Sequence, residues 1–154
     1  MSYKIHTVDL AARHLAVRRF RGDLTTIGQQ MGEAFGAVMA YADRAGVQVQ
    51  GPALAVYDMH PDGKFEVAAG FPVSAPVNGD GDVVPYDLPA CEAATTTHIG
   101  SYNDLGSAYA AIEAWVKENG REPLSSVMWD EYWSGPEVPQ DQARTEVFQP
   151  LKPQ

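Results

Sequence analysis

The densest group of chemically capable side chains in this sequence is the run Trp129-Asp130-Glu131-Tyr132-Trp133. In a β-strand, alternate side chains point to opposite faces, so Asp130 and Tyr132 share one face and the other three residues share the second. Core packing of aromatic rings explains one face but not both, because each carries an acid and a large ring. A carboxylate among aromatic rings suits an organic cation, which gains charge pairing and attraction to the ring faces.

The spacing of the other candidate residues does not fit a metal site, a phosphate-binding loop or a catalytic nucleophile. The four histidines, His6, His14, His60 and His98, have no His, Cys or acid at metal-ligand spacing. The acidic run 78–82 begins like a calcium loop but lacks the glycine and glutamate that such a loop needs at its sixth and twelfth positions. The chain contains no nucleophile-elbow serine and no strand–glycine–helix phosphate loop. We therefore expect neither a metal nor a cofactor.

Composition narrows the class of partner. The chain has 154 residues, 45% of them hydrophobic, which suits one soluble domain. Its formal net charge is −9, which argues against nucleic-acid binding, since phosphate binding needs clustered cations. The basic run 13–21 alternates like a solvated sheet face. No apolar stretch is long enough for a membrane span, no signal-peptide core is present, and Cys91 is the only cysteine. We expect a cytoplasmic protein that does not bind membranes.

The sequence reads as two copies of one strand–helix–strand–strand unit. The first copy has predicted strands at 14–20, 54–59 and 65–69 and a helix at Ile27–Ala45; the second has strands at 93–99, 127–133 and 145–148 and a helix at 105–119. The copies are aligned by four pairs of residues at nearly constant separation: Gly22 and Gly100, Gly46 and Gly120, Tyr57 and Tyr132, and Pro61 and Pro136.

The two units are expected at residues 5–71 and 90–152, with a connector at 72–89 whose prolines exclude a helix or a central strand. We expect residues 73–85 to be exposed and mobile. Each unit has an apolar helix stripe and a small sheet with one face to cover. The prediction is therefore a single α+β domain over residues 1–154. Its sheet is antiparallel-rich, both long helices lie on one face, and a ligand cleft lies on the other face at the pseudo-two-fold seam.

A family resemblance runs through nearly the whole chain. It rests on the order and spacing of the following pieces: Val17-Arg18-Arg19-Phe20-Arg21-Gly22, Gly51-Pro52 before Tyr57, Gly100-Ser101-Tyr102, Trp129-Asp130-Glu131-Tyr132, Gly135-Pro136, Arg144-Thr145-Glu146 and Gln149-Pro150-Leu151. With these pieces the sequence resembles the gyrase-inhibitor-like (GyrI-like) domain, which is also the effector-binding domain of AraC- and MerR-type drug-responsive regulators. At this length the chain leaves no room for a DNA-binding module, so we expect a free-standing domain.

The resemblance implies a buried acid in the cleft, two residues before a tyrosine and flanked by aromatic residues. That position falls on Asp130, followed by Tyr132. Because the family usually has glutamate there, Glu131 is the reserve candidate for the acid. We predict that Asp130 points into the cleft beside Tyr132, and that Tyr57 approaches from the first unit. The predicted walls are Trp129, Trp133 and Tyr102.

Three functions follow as expectations. The first is binding of amphipathic, aromatic or cationic small molecules. The second is hydrolysis of strained-ring electrophiles, as the resemblance implies, with a water held by Asp130 or Glu131 and a phenol of Tyr132 or Tyr57 stabilising the leaving oxygen. The third is inhibition of a protein partner, as in the gyrase-inhibitor type.

Overall fold

The computed structural model describes residues 3–23, 25–59, 62, 64–134 and 137–153. The described residues do not include His60, which was considered above as a metal ligand. They also do not include the turn residues Pro61, Gly135 and Pro136. Within the described residues, two long helices and eight strands follow one another: β1 His6–Leu10, β2 Arg13–Gly22, α1 Ile27–Ala45, β3 Ala53–Met59, β4 Phe65–Val73, β5 Val83–Leu88, β6 Cys91–Ile99, α2 Leu105–Glu118, β7 Val127–Tyr132 and β8 Arg144–Leu151.

The chain divides into two units. The first unit spans Ala11–Ala90, and the second joins the N-terminal segment ending at Leu10 to the segment beginning at Cys91. All the strand pairs described within each unit are antiparallel. The predicted α+β class is therefore confirmed.

In the first unit the strand order is β3-β4-β2-β5. Helix α1 packs on one face of these strands, where Val38 and Tyr41 join Ala16, Val73 and Val83 in a buried cluster. Gly46 ends α1 with φ of 68°, a left-handed conformation that glycine adopts without a Cβ clash. The helix has the predicted bounds.

In the second unit the order is β1-β6-β8-β7. Helix α2 covers one face of these strands. Its apolar stripe forms a buried cluster with the residues that face it from the strands: Leu105, Ala108, Ile112 and Val116 from α2, with Ala94, Val147 and Leu151 from β6 and β8. The predicted helix ran one residue further, to Asn119.

The two units have the same connectivity. In each, a strand leads through a helix to a hairpin whose second strand returns beside the first, giving β3-β4-β2 and β7-β8-β6. Counted along the paired strands from Gly22 and from Gly100, Tyr57 and Tyr132 occupy matching positions of β3 and β7. The internal repeat itself stays a prediction.

The connector prediction needs a correction. Part of residues 72–89 forms β5, an edge strand that pairs with β2. Pro85 fits there because an edge strand leaves one row of backbone groups without a ladder partner. Residues 74–82 are exposed or half-buried as expected, whereas Val73 and Val83 are buried. Residues 6–10, expected within the first copy but not as a strand, form β1, which pairs with β6 of the second unit.

An ion pair ties β6 to the segment that follows α2. Arg121, whose side chain is 8% exposed, donates to the Glu92 carboxylate and to the backbone carbonyl oxygen of Lys152, just beyond β8. The hydrogen bond and charge of Arg121 hold the pKa of Glu92 below its usual range. A lowered folded-state pKa means that the carboxylate stabilises the fold above the unfolded-state pKa, and that this contribution disappears as pH falls through the folded-state pKa.

We therefore expect Glu92→Gln to lower the free energy of unfolding at neutral pH, since the nearly buried guanidinium loses its charged partner. The difference from the unsubstituted protein should shrink as pH falls below the usual glutamate pKa. Urea denaturation at a series of pH values measures this. Glu122→Gln is the control, because Glu122 pairs with Lys152 on the exposed surface, where an ion pair contributes little. An equal loss for both variants, or a loss for Glu92→Gln that does not depend on pH, would contradict the expectation.

Candidate functional site

Strand β7 separates the predicted site residues onto two faces. Asp130 lies opposite Val147 of β8, and Val147 belongs to the cluster packed under α2. Met128, two residues before Asp130, packs against the same cluster. Because directly opposite and alternate residues share a face, Asp130 and Tyr132 point toward α2.

Under α2, Asp130 is fully buried and accepts hydrogen bonds from two phenols. The Tyr109 hydroxyl of α2 donates to Asp130 Oδ2 at 2.5 Å, and the Tyr132 hydroxyl donates to the same oxygen at 3.5 Å. The ring of Tyr102, just before α2, meets the Tyr132 ring edge-on with 5.7 Å between centroids. We call these four residues the tyrosine–aspartate cluster. It joins a helix to a strand within one unit.

This arrangement corrects the predicted orientation of Asp130. The prediction had Asp130 facing a cleft opposite the helices, but the structure places it beneath α2, within hydrogen-bonding reach of Tyr109. The apolar stripe of α2 requires Val147 on the helix side, and the register then fixes Asp130 on that side as well. The signal that could have shown this is Tyr109, a hydroxyl-bearing residue within the apolar stripe of the helix. The Asp130–Tyr132 pair proposed for hydrolysis consequently lies on the covered face.

The opposite face of the same strands carries Glu131, the reserve candidate. We call this the distal face and define it by Trp129, Glu131 and Trp133 with Glu146 and Phe148 of β8. The Trp129 ring stacks on Phe148, with 5.7 Å between centroids and 22° between planes. Glu131 is 6% exposed, whereas Trp133 is 50% exposed. A nearly buried carboxylate of β7 therefore lies in the sequence between Trp129, within the strand, and Trp133, just past its end.

A second acid, Glu146, lies directly opposite Glu131. Its Oε1 accepts hydrogen bonds from Arg144 Nε at 2.9 Å and Nη2 at 2.6 Å, and its Oε2 accepts one from the Thr97 hydroxyl at 2.8 Å. The Arg144 guanidinium also lies over the Trp133 ring, 5.3 Å from the ring centroid, within the range of cation–π attraction. Arg144, Thr97 and Glu146 were not predicted as site residues individually, since their proximity depends on the pairing of β6, β7 and β8.

Tyr57 lies on β3 of the first unit. It shares a face with Val67 and Phe71 of β4, and Phe71 contacts Phe35 of α1. Tyr57 therefore points to the helix side of its own unit, as Tyr132 does in the second. Its predicted approach to Asp130 stays a prediction.

A cavity of about 500 Å³ lies elsewhere in the second unit, with Tyr3, His98, Ser101 and Asp104 in its lining. His98 is buried and is held by the Tyr3 hydroxyl at 3.0 Å from Nδ1 and by the Ser101 carbonyl oxygen at 2.9 Å from Nε2. Burial and the negative charge of Asp104 raise the pKa of Tyr3. These contacts give His98 a structural role at the end of β6.

The part of the chain that the structure describes also bears on metal binding and on membrane insertion. There, no group of three or more His, Cys, Asp or Glu side chains is placed to hold a metal ion. In the same residues, no helix is both long enough and apolar enough to cross a membrane. The cytoplasmic location stays a prediction.

Fold and sequence together define the class of this protein. A family model described as the GyrI-like small molecule binding domain matches residues 3–152. The chain belongs to the GyrI-like family of small-molecule-binding domains. No curated protein sequence matches it significantly.

Solved structures show the same fold. The crystal structure of the EcmrR C-terminal domain matches with a TM-score of 0.82 and 20% identity over 99% of both chains. SAV2435 bound to tetraphenylphosphonium matches with a TM-score of 0.64 and 13% identity over 99% of this chain and 94% of that one. A hydrolase from Listeria innocua matches with a TM-score of 0.65 and 11% identity, covering 97% and 92%. At these identities the likeness establishes the fold alone.

The tyrosine–aspartate cluster makes a prediction about stability. Replacing Tyr109 by Phe removes a 2.5 Å donor to a fully buried carboxyl group. We expect a loss of about 1.5–3 kcal/mol in the free energy of unfolding, the usual range for a hydrogen bond to a charged group. Tyr132→Phe is the matched control. It should lower the free energy of unfolding by less, because the Tyr132 hydroxyl lies 3.5 Å from Asp130 Oδ2. Urea denaturation of both variants measures the difference. A larger loss for Tyr132→Phe would show that Tyr109 is not the main partner.

Proposed function

We propose that this chain binds amphipathic organic cations on the distal face of its second unit, with Glu131 as the charge partner of the ligand. The observation that carries the proposal is the position of Glu131, a carboxylate that is 6% exposed and lies between Trp129 and Trp133 on one face. Membership of a small-molecule-binding family supports it, as does the cation bound to the structural neighbour SAV2435.

The chemistry of the distal face suits such a ligand. A carboxylate that has lost most of its hydration interacts more strongly with a cation than one in water, because the local dielectric constant is lower. Tryptophan faces attract a cation by their ring quadrupole and also bury the apolar part of an amphipathic molecule. Trp129 is fixed by its stack on Phe148, whereas the half-exposed Trp133 offers accessible ring surface.

A second feature of Trp129 favours a ligand on this face. Its indole Nε1 is buried and has no hydrogen-bond acceptor among the residues that the structure describes. A buried donor without an acceptor costs about 1–3 kcal/mol, so native proteins satisfy nearly all such groups. A ligand or water that offers an oxygen beside Trp129 would remove this cost.

Glu131 suits the role better than the neighbouring acids. Asp130 is enclosed under α2 and accepts the Tyr109 hydroxyl. Glu146 shares its two oxygens between Arg144 and Thr97. Of these three acids, Glu131 is the one placed between the two tryptophans.

The test compares two ions of nearly the same shape, tetraphenylphosphonium and tetraphenylborate. Glu131→Gln keeps the side-chain volume and removes the charge, so we expect it to weaken phosphonium binding by about 1–3 kcal/mol, the usual cost of losing a partly buried charge partner. It should leave borate binding unchanged or improve it. Isothermal titration calorimetry in a sodium buffer measures both affinities.

Glu122→Gln is the matched control, because it removes the same charge from an exposed position of the same unit. Equal losses for the two ions would give Glu131 a packing role. An unchanged affinity for phosphonium in Glu131→Gln would overturn the proposal. Loss in a folded Asp130→Asn variant instead would return the charge-partner role to Asp130.

A further inference from the structure

The cavity of about 500 Å³ in the second unit is lined by the loop that joins β6 to α2 and by the segment that precedes β8. Asp104 lines it from the start of α2, and Asp141 from the short 3-10 turn Gln140–Gln142. The backbone N–H of Gly100 donates to the carbonyl oxygen of Ala143 at 2.9 Å, which brings the two segments together. Small-molecule sites commonly have volumes of about 300–1,000 Å³, so this cavity is large enough for a ligand.

One wall of the cavity is held in place by hydrogen bonds of its own. The Ser101 carbonyl oxygen accepts the His98 Nε2–H at 2.9 Å and the backbone N–H of Asp104 at 3.0 Å. Because a carbonyl oxygen only accepts, Nε2 carries the hydrogen, and a neutral ring then accepts the Tyr3 hydroxyl at Nδ1. Both ring nitrogens of His98 are thus engaged, and a ligand must find its polar partners elsewhere in the lining.

The carboxylate of Asp104 is available to a ligand. Asp104 is the N-cap residue of α2, a position that favours aspartate because the side chain can accept the free N–H groups of the first turn. In this protein the Asp104 side chain makes no such capping bond and lines the cavity as an exposed group. Burial and the charge of Asp104 together raise the pKa of Tyr3, so this charge acts inside the cavity.

The second carboxylate, that of Asp141, is exposed as well. Neither Asp104 nor Asp141 has a hydrogen bond or an ion pair through its carboxylate within the part of the chain that the structure describes. The lining described for the cavity contains no lysine or arginine. The start of α2 contributes the equivalent of only about half a positive charge, which is less than the charge of the two acids. The cavity therefore favours a positively charged ligand.

We propose that this cavity is a separate binding site for protonated aliphatic diamines. A primary ammonium group has three N–H donors, and the lining offers the two carboxylates and the hydroxyl of Ser107 as acceptors. The half-exposed Ile99 provides apolar surface for the alkyl chain. A second positive charge gains further from the same field, because Coulomb energy is linear in each charge. A metal ion fits less well, since the described residues offer no group of three metal-binding side chains.

The test compares 1,4-diaminobutane with its hexamethylated bis-quaternary form, which has the same two charges on the same chain but no N–H donor. We expect the diamine to bind and the hexamethylated ion to bind about tenfold more weakly, the equivalent of one hydrogen bond to a charged group. Isothermal titration calorimetry at 0.1 M salt in phosphate buffer measures both affinities. The NMR signals of the His98 ring should shift as the diamine is added, whereas those of His14 in the first unit should not.

Two conservative variants locate the site. Asp104→Asn and Asp141→Asn should each weaken diamine binding by about two- to fivefold, the range of an exposed ion pair, and the double variant by about the product of the two factors. Asparagine caps a helix as well as aspartate does, so α2 should be preserved. Glu113→Gln is the matched control, because it removes the same charge from an exposed position of the same helix. Glu113 lies about 14 Å from Asp104 along the axis, beyond the Debye length of about 10 Å at 0.1 M salt, and its loss should leave the affinity unchanged.

The outcomes separate this inference from the proposed function. Glu131→Gln should leave diamine binding unchanged, and tetraphenylphosphonium should not displace the diamine; displacement would overturn the assignment of a separate site. Absence of binding and of a His98 shift would overturn the proposal. So would equal affinities for the two diamine forms, or an equal loss in Glu113→Gln, which would indicate general attraction to a chain of net charge −9. Should the double variant fail to fold, the His98 shift in the unsubstituted protein decides.

Discussion

The packing of α2 on one side of β7 and β8 is the constraint on which the account of the site depends. The apolar stripe of the helix is complementary to Val147 and Leu151 of β8, and the register of the hairpin then determines which residues of β7 share that side. Because a strand alternates with a period of two, shifting the register by one residue would exchange the two faces completely. The hydrophobic contact between helix and strand thus decides the environment of each neighbouring acid.

Asp130 and Glu131 consequently have opposite surroundings although they are adjacent in the chain. Asp130 is enclosed under α2, where two phenols donate to its Oδ2. Glu131 lies opposite another acid, Glu146, and between large aromatic rings.

Much of the fold could be predicted from the periodicity of apolar residues and from the glycines and prolines that end helices and strands. Both long helices appear where the apolar stripes and their terminal glycines place them, and each predicted strand corresponds to an observed one. Strands β1 and β5 were missed as separate elements because they are short edge strands, and the prolines of the 72–89 segment favoured a connector. Edge pairing depends on distant partners, β6 and β2 in this chain, and these leave little trace in the local sequence.

The sequence predicts which residues of β7 share a face but not which face lies under the helix. Alternation separated Asp130 and Tyr132 from Trp129, Glu131 and Trp133 correctly. It could not show which group faces the helix, because both faces carry an acid and an aromatic residue. Arg144, which compensates Glu146, is brought to this face only by the register of β8.

The position of a bound cation can be seen in a crystal structure of this protein with tetraphenylarsonium, whose arsenic atom can be located by anomalous scattering. We predict an arsenic position on the distal face, within about 6 Å of a tryptophan ring centre, the range of cation–π attraction, and on the side of the Glu131 carboxylate. An arsenic site beside Asp130 and Tyr109, or in the cavity lined by Tyr3 and His98, would contradict it.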